Sequence, residues 1–328
     1  MASGVGGASP RELVSEVLAG RTRGIARMMS RAEAGGEASR AAMAEIYLHT
    51  GRAHVVGLTG APGGGKSTLA RSLARLYREG GRKIGIIAID PTSPFSGGAI
   101  LGDRVRMADL AEDPGVFIRS MATRGALGGL ARASLDAVDI LDAAGFDVVL
   151  VETVGVGQDE VEIVQVAHTV AVVSPPGLGD EIQAIKAGIL EIADIHAVSK
   201  CDRPDSARTI SDLKGMLALG VSAGPAPAWE VPVVATSCEK NEGIDDLLSA
   251  IDGHLSHLQE SDGMDRRRRR IIEMRVRKTA EDIVRGRFAG RSEGRLAELL
   301  ERVMAREMDP YSAAVDLLAD FHEEGGHD

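Results

Sequence analysis

Gly60-Ala61-Pro62-Gly63-Gly64-Gly65-Lys66-Ser67 satisfies the phosphate-loop pattern G-x-x-x-x-G-K-[ST] at every fixed position. The β- and γ-phosphates of a nucleoside triphosphate carry several negative charges that must be held without water. Backbone N–H groups packed more closely than any Cβ would permit can hold them, which accounts for the glycines. Lys66 brings a mobile positive charge to the β- and γ-phosphates and Ser67 offers its hydroxyl to Mg²⁺. The helix that opens through Thr68 turns its positive dipole end toward the same place. The flanks have the order this mechanism needs. Ala53-His54-Val55-Val56-Gly57-Leu58-Thr59 reads as a buried strand, and Ser67-Thr68-Leu69 opens a helix running to Gly80-Gly81.

Outward from this unit, short apolar runs alternate with amphipathic stretches: Val55 to Thr59, Ile84 to Ile89, Val148 to Val151, Val170 to Ser174, Ile195 to Ser199 and Val231 to Ala235. Nearly all-apolar strands separated by helices predict an α/β fold of P-loop NTPase type, a mostly parallel sheet covered by helices on both faces. Ligand chemistry then collects at the carboxyl ends of the strands. Two helices are expected before it, Pro10 to Ala19 and Gly24 to His49. Charged helical sequence follows it, Arg266 to Phe288 and Glu293 to Phe321. The expected regions are an N-terminal helical extension (1–52), a nucleotide domain (53–258) and a C-terminal helical region (259–328).

The 328 residues are 44% hydrophobic, enough for a full core. A formal net charge of −10 argues against nucleic acid or an anionic membrane as main partner. Cys201 and Cys238, the two cysteines, have neither metal-ligand nor disulfide spacing. No apolar run approaches the ~20 residues of a membrane span, and the start of the chain lacks an apolar signal core. A cytoplasmic protein is expected.

The polar residues fall where strands end. The second run leads into Asp90-Pro91-Thr92-Ser93-Pro94 and a glycine-rich, carboxylate-bearing segment, Gly97 to Arg104, of the kind that moves with a γ-phosphate and Mg²⁺. The third leads into Glu152-Thr153-Val154-Gly155-Val156-Gly157-Gln158. Glu152 takes the place of the carboxylate that organises Mg²⁺ in such folds, and Gly155 lets the backbone approach the γ-phosphate. No glutamine directly follows Gly155 to orient water; Gln158 stands three residues on.

Ser199-Lys200-Cys201-Asp202 follows the next strand but one and matches N-K-x-D with Ser for Asn. The carboxylate of Asp202 would accept from the ring N–H and exocyclic amine that distinguish guanine from adenine, and the Lys200 stem would cover the base. Thr236-Ser237-Cys238-Glu239-Lys240 resembles the loop that backs a guanine base. Guanine preference rests mainly on Asp202.

Taken together these residues resemble the methylmalonyl-CoA mutase-associated GTPases, the MeaB/ArgK family. The resemblance is carried by Asp90-Pro91-Thr92-Ser93, Gly97 to Met107, Glu152 to Gln158 and Pro176-Gly177-Leu178-Gly179-Asp180-Glu181-Ile182-Gln183-Ala184-Ile185-Lys186. It implies a homodimeric GTPase chaperone that gates adenosylcobalamin loading of an acyl-CoA mutase and protects it. By the same resemblance Asp90, Asp103 and Glu152 surround Mg²⁺, and Gly177 to Lys186 is a switch coupling nucleotide to mutase. Cobalamin belongs to the partner: a base-off cobalamin site needs D-x-H-x-x-G, and Asp194-Ile195-His196-Ala197-Val198-Ser199 lacks the glycine and lies in a strand.

Intrinsic GTP hydrolysis is expected to be slow, because no residue stands where water-orienting glutamines usually do and no arginine finger can be assigned. Lys66, Asp103, Gln158 and Lys186 are the catalytic candidates, and Lys186, Gln158, Arg104 and Arg106 are those that a partner could move into place. The alternative class, a nucleotide-dependent kinase or transport-linked ATPase, has no use for a guanine-reading Asp202. A nickel-inserting GTPase would need a Cys/His cluster, and none is evident. Arg266 to Arg270 reads either as a solvated helix face or as a protein contact. His254 and His257 lack the further ligands a metal needs.

Overall fold

The computed structural model describes residues 9–90, 107, 109–122, 132–153, 162–177, 191–221, 228–291 and 293–323. Strand β1 (His54–Thr59) is buried at every position. It pairs in parallel with β4 (Val148–Thr153) and β5 (Thr169–Ser174), also buried throughout. With β2 (Ile84–Asp90), β3 (Val116–Ala122), β6 (Ile195–Val198) and β7 (Val233–Ala235) they form one seven-stranded sheet in the order β3-β2-β4-β1-β5-β6-β7.

Side chains of one strand divide between two cores, as the two-residue period requires. Val55, Val149, Val151, Val170 and Val172 face a cluster containing Leu13, Met28, Ile46, Leu135 and Leu141. Those core residues come from α1 (Pro10–Leu18), α2 (Thr22–Ala34), α3 (Glu37–Tyr47) and α5 (Arg132–Ala143). Val56, Leu58, Leu150, Ala171 and Val173 face Leu69, Leu73, Leu247 and Ile251, from α4 (Lys66–Glu79) and α7 (Ile244–Glu260). Both faces are therefore covered, and the apolar runs are explained.

Two sequence expectations are corrected. The helix expected from Gly24 to His49 is two helices, because Gly35 (φ 73°) and Gly36 (φ 95°) break it in conformations that residues with a Cβ avoid. Strand β3 was not expected from the apolar pattern. It is an edge strand whose Phe117 and Met121 enter the core while Arg119 reaches Glu33 Oε1 at 3.0 Å and Ser30 Oγ at 3.2 Å, so polar residues interrupt the apolar run.

After β6 come α6 (Ser206–Val221), β7 and α7, then α8 (Gly263–Arg291), α9 (Glu293–Met304) and α10 (Pro310–Glu323). The chain divides into two compact units, Met1–Ile271 and Ile272–Asp328. Within the second, α9 packs on α10. No described helix is long and apolar enough to cross a membrane.

Candidate functional site

Strand β1 lies where the strand order reverses, between β4 and β5, and in open parallel sheets the crevice beyond that point receives the ligand. The chain leaves β1 at Gly60 (φ 124°), where a Cβ would stand 2.2 Å from the Val173 carbonyl oxygen. Only glycine permits β1 and β5 to close so tightly at their ends. Gly64 N–H donates to Ala61 O at 3.2 Å, and Gly65 in a left-handed conformation turns the chain into α4. Lys66 is 5% exposed. Its Nζ donates to Gly60 O at 2.7 Å and Ala61 O at 2.9 Å, so the ammonium is folded back over the loop carbonyls.

Beside the loop, Ser67 Oγ donates to Glu152 Oε1 at 2.6 Å. Glu152 is buried, and the adjoining Thr153 hydroxyl donates to Thr59 Oγ1 at 3.0 Å, fixing the ends of β4 and β1. A hydroxyl and a carboxylate brought together are hard oxygen donors suited to Mg²⁺. The backbone of Asp90 ends β2 next to this corner, since its predecessor Ile89 registers with Thr153. The Asp90 side chain, Asp103, Arg104, Arg106, Gly155, Gln158 and the segment from Leu178 to Lys186 lie outside the described residues. Of the expected switch only Gly177 is described, with φ 82° and its N–H on Thr209 Oγ1 at 3.4 Å.

The residues expected to read the base converge from two loops. Ser237 Oγ donates to Asp202 Oδ1 at 2.6 Å. That bond, with the backbone N–H of Asp202, holds the carboxyl below its ordinary range, so it is ionised at neutral pH. Cys201 N–H donates to Thr236 O at 3.0 Å, and the Cys201 carbonyl accepts from Ser206 Oγ at 2.8 Å. Lys200, at φ 53°, sends Nζ to Gly63 O at 2.8 Å. The base loop is thereby tied to the phosphate loop, a link that sequence spacing did not reveal. Ser199 is buried, and its Oγ lies 3.5 Å from Ser174 O, so it braces the ends of β5 and β6. Burial pushes both the Cys201 and Cys238 thiols up, which suits packing residues rather than nucleophiles.

The remaining candidates are strand, ring-stacked and docked side chains. His196 is wholly buried within β6, and its backbone pairs with β5 and β7. His254 and His257 flank Trp229, with ring centroids 4.9 and 5.3 Å away. No group of three or more metal-ligating side chains occurs among the described residues. Within the basic run, Arg267 Nη2 meets Asp194 Oδ1 at 2.5 Å and Arg268 Nη2 meets Gly51 O at 2.7 Å, so two of its members are docked.

A phosphate loop tied to the lysine of the Ser199–Asp202 loop, on a parallel sheet, defines a P-loop nucleoside triphosphatase. Comparison with known proteins narrows this. The profile of the family described as methylmalonyl-CoA mutase-associated GTPase MeaB matches residues 22–293, and the chain belongs to that family. A putative GTPase of Pyrococcus abyssi is 46% identical over 311 residues, covering 94% of this chain and 96% of that protein. The GTPase ArgK of Escherichia coli is 35% identical over 247 residues, 74% of each chain. A solved structure described as an LAO/AO transport system kinase superposes with a TM-score of 0.72 over 98% of this chain and all of the other, at 24% identity, and shares the fold.

Proposed function

We propose that the chain couples GTP hydrolysis to the gating and protection of a cobalamin-dependent acyl-CoA mutase, controlling adenosylcobalamin loading while the mutase carries the cobalamin. The observation that carries this reading is the family match, which spans the phosphate loop, the Glu152 corner and the base loops together. GTP is read by Asp202, with Lys200 over the base and Ser237 and Cys238 behind it. The amides of Gly60 to Ser67 cradle the phosphates, and Lys66 leaves the carbonyls of Gly60 and Ala61 for the phosphates when nucleotide arrives. Ser67, Glu152, Asp90 and Asp103 would hold Mg²⁺, which would supply positive charge against the phosphates. Intrinsic hydrolysis is slow, and the mutase completes the site by moving Gln158, Lys186, Arg104 or Arg106 into place.

Homodimerisation belongs to this reading. Val276, Met304 and Tyr311 of the second unit are 63%, 81% and 78% exposed, apolar surface available to a second copy. The test is turnover of GTP, with ATP as control, with and without an acyl-CoA mutase. GTP-selective turnover that rises with the mutase is expected. Turnover of ATP, or GTP turnover indifferent to the methylmalonyl, ethylmalonyl, isobutyryl and 2-hydroxyisobutyryl types of mutase, would overturn it.

A further inference from the structure

A cavity of about 400 Å³ lies at the amino edge of the sheet, the end away from the phosphate loop. Because all strands are parallel, the residues preceding them gather at this one edge: Arg52 before β1, Arg82 before β2, Asp147 before β4 and His168 before β5, with His54 opening β1. Arg268 joins them from α8, and Leu255 and Met264 add apolar wall.

The lining carries excess positive charge. Three guanidinium groups face one carboxylate, Asp147, whose Oδ2 already accepts Lys83 N–H at 2.7 Å. Arg82 meets Asp252 Oδ1 only at 3.4 Å, in a pair exposed to solvent on both sides, and lies 5.4 Å over the Tyr77 ring. Guanidinium forks match the oxygens of carboxylates and phosphates. The strand start that carries Arg52 is also fixed in advance. Asp142 accepts the N–H groups of Gly51, Arg52 and Ala53 at 2.6, 3.0 and 3.0 Å.

The buried histidines specify more than charge. His254 Nε2 lies 3.4 Å from Asp194 Oδ1, and because a carboxylate only accepts, the favoured tautomer of His254 turns its N–H toward it. Its Nδ1 must then accept the single hydroxyl proton of Thr169, at 2.8 Å. The Thr169 oxygen in turn accepts from His54 Nε2, also at 2.8 Å. Burial and neighbouring cationic groups hold His54 down to about 3, so it is neutral at neutral pH. Its Nδ1 is then a bare acceptor, buried and without a hydrogen-bond partner in the described structure. His168 has the opposite polarity: Val55 N–H donates to its Nδ1 at 3.2 Å, leaving Nε2–H as a donor.

We infer that this cavity binds a small oxyanion that also carries an O–H, a hydrogenphosphate or a hydroxycarboxylate. Arg52, Arg82, Arg268 and His168 take the charged oxygens, and His54 Nδ1 accepts the O–H. A dianion with no proton gains no bond from that acceptor and sets an oxygen lone pair against the one on Nδ1, which disfavours it. Since β1 runs from His54 to the phosphate loop, this ligand and the nucleotide occupy opposite ends of one strand.

The experiment is calorimetric titration of the full chain at neutral pH and low salt, its phosphate loop filled with a non-hydrolysable GTP analogue and Mg²⁺. The probes are inorganic phosphate, citrate and sulfate. Phosphate or citrate should saturate one site per chain, whichever binds identifying the source of the oxyanion, with sulfate about tenfold weaker or more. The emission of Trp229, the one tryptophan, should change on binding because its ring contacts His254. Arg52→Gln with Arg268→Gln should weaken binding about tenfold or more, while Lys214→Gln, on exposed α6 and outside the cavity, should leave it unchanged. Unaltered nucleotide affinity certifies that the variants are folded; should the double variant fail that check, Arg52→Gln alone, at an exposed position, decides. Absence of phosphate and citrate binding, binding indifferent to the arginines, or sulfate equal to phosphate would each overturn the inference.

Discussion

At the carboxyl edge of the sheet the polar groups come from contiguous runs, Gly60 to Ser67, Ser199 to Asp202 and Ser237 to Cys238. At the amino edge His54, Thr169, Asp194, His254 and Arg267 come together from separate elements of the first unit. The carboxyl edge works largely through backbone donors and side chains that can exchange partners, as Lys66 on two loop carbonyls and Lys200 on a third illustrate. At the amino edge Thr169, Asp194, His254 and Arg267 are spent on one another, apart from the cavity arginines, and Asp194 alone receives Val170 N–H at 2.8 Å, Arg267 at 2.5 Å and His254 at 3.4 Å. Groups that must exchange partners serve ligands, whereas groups that satisfy each other hold strands in place.

This contrast breaks if mutations at the two edges fail to separate stability from turnover. Asp194→Ala should have the largest effect, because it strands the Arg267 charge and the Val170 N–H in a half-buried site. A loss of about 3–5 kcal/mol is expected in denaturant unfolding, with nucleotide affinity retained by whatever protein remains folded. Lys66→Ala should do the reverse. GTP turnover should fall about 10²- to 10³-fold, as when a preorganised charge-stabilising donor is removed, with a much smaller change in unfolding midpoint. If Lys66→Ala unfolds the protein while Asp194→Ala leaves it intact, the division of labour is wrong.

The same contrast explains what the sequence made legible. The phosphate loop and the base loop could be read because their chemistry needs fixed spacing along a few residues, and the parallel sheet because β1, β4 and β5 are apolar on both faces. The amino-edge network left no such trace. Thr169 and His254 lie 85 residues apart in the chain, and each alone is an ordinary strand or helix residue. Strand β3 was hidden by Arg119 and Ser120, and the break between α2 and α3 depended on backbone conformation at Gly35 and Gly36 rather than on side-chain period. The lysine tether from Lys200 to Gly63 spans 137 residues, beyond any local pattern.

Acid should distinguish the edges next. An unfolded histidine titrates near 6.5, while in the folded chain His54 is held to about 3, and His168 and His254 to about 4, chiefly by burial. Between these values the unfolded chain takes up protons that the folded chain refuses, so the equilibrium moves toward unfolding as pH falls. Stability is full above about pH 6.5, declines below it and levels off once the folded-state histidines themselves protonate. The slope approaches about 1.4 kcal/mol per pH unit for each histidine at most. Urea unfolding of the nucleotide-free protein across this range measures it. A flat profile from pH 7 to 5 would show that these rings are protonated in the folded chain and that the hydrogen-bond polarity derived for them is wrong.

Asp202→Asn should have the smallest effect on the fold and a confined effect on function. The side chain is at the surface of its loop, and its Ser237 contact survives in part, since an amide oxygen also accepts. What the amide cannot do is accept from both the ring N–H and the exocyclic amine of guanine, because its NH₂ group meets them donor to donor. Competition between GTP and ATP should therefore shift by about tenfold or more against GTP, through affinity rather than through the hydrolytic step. In the proposed roles Lys66 and the Ser67–Glu152 corner serve phosphate and metal whichever base is bound, so single-turnover hydrolysis at saturating GTP should stay within a few-fold of the parent. A variant that kept its guanine preference would move base recognition away from Asp202 and leave the Lys200 tether as the feature to which the base loop owes its position.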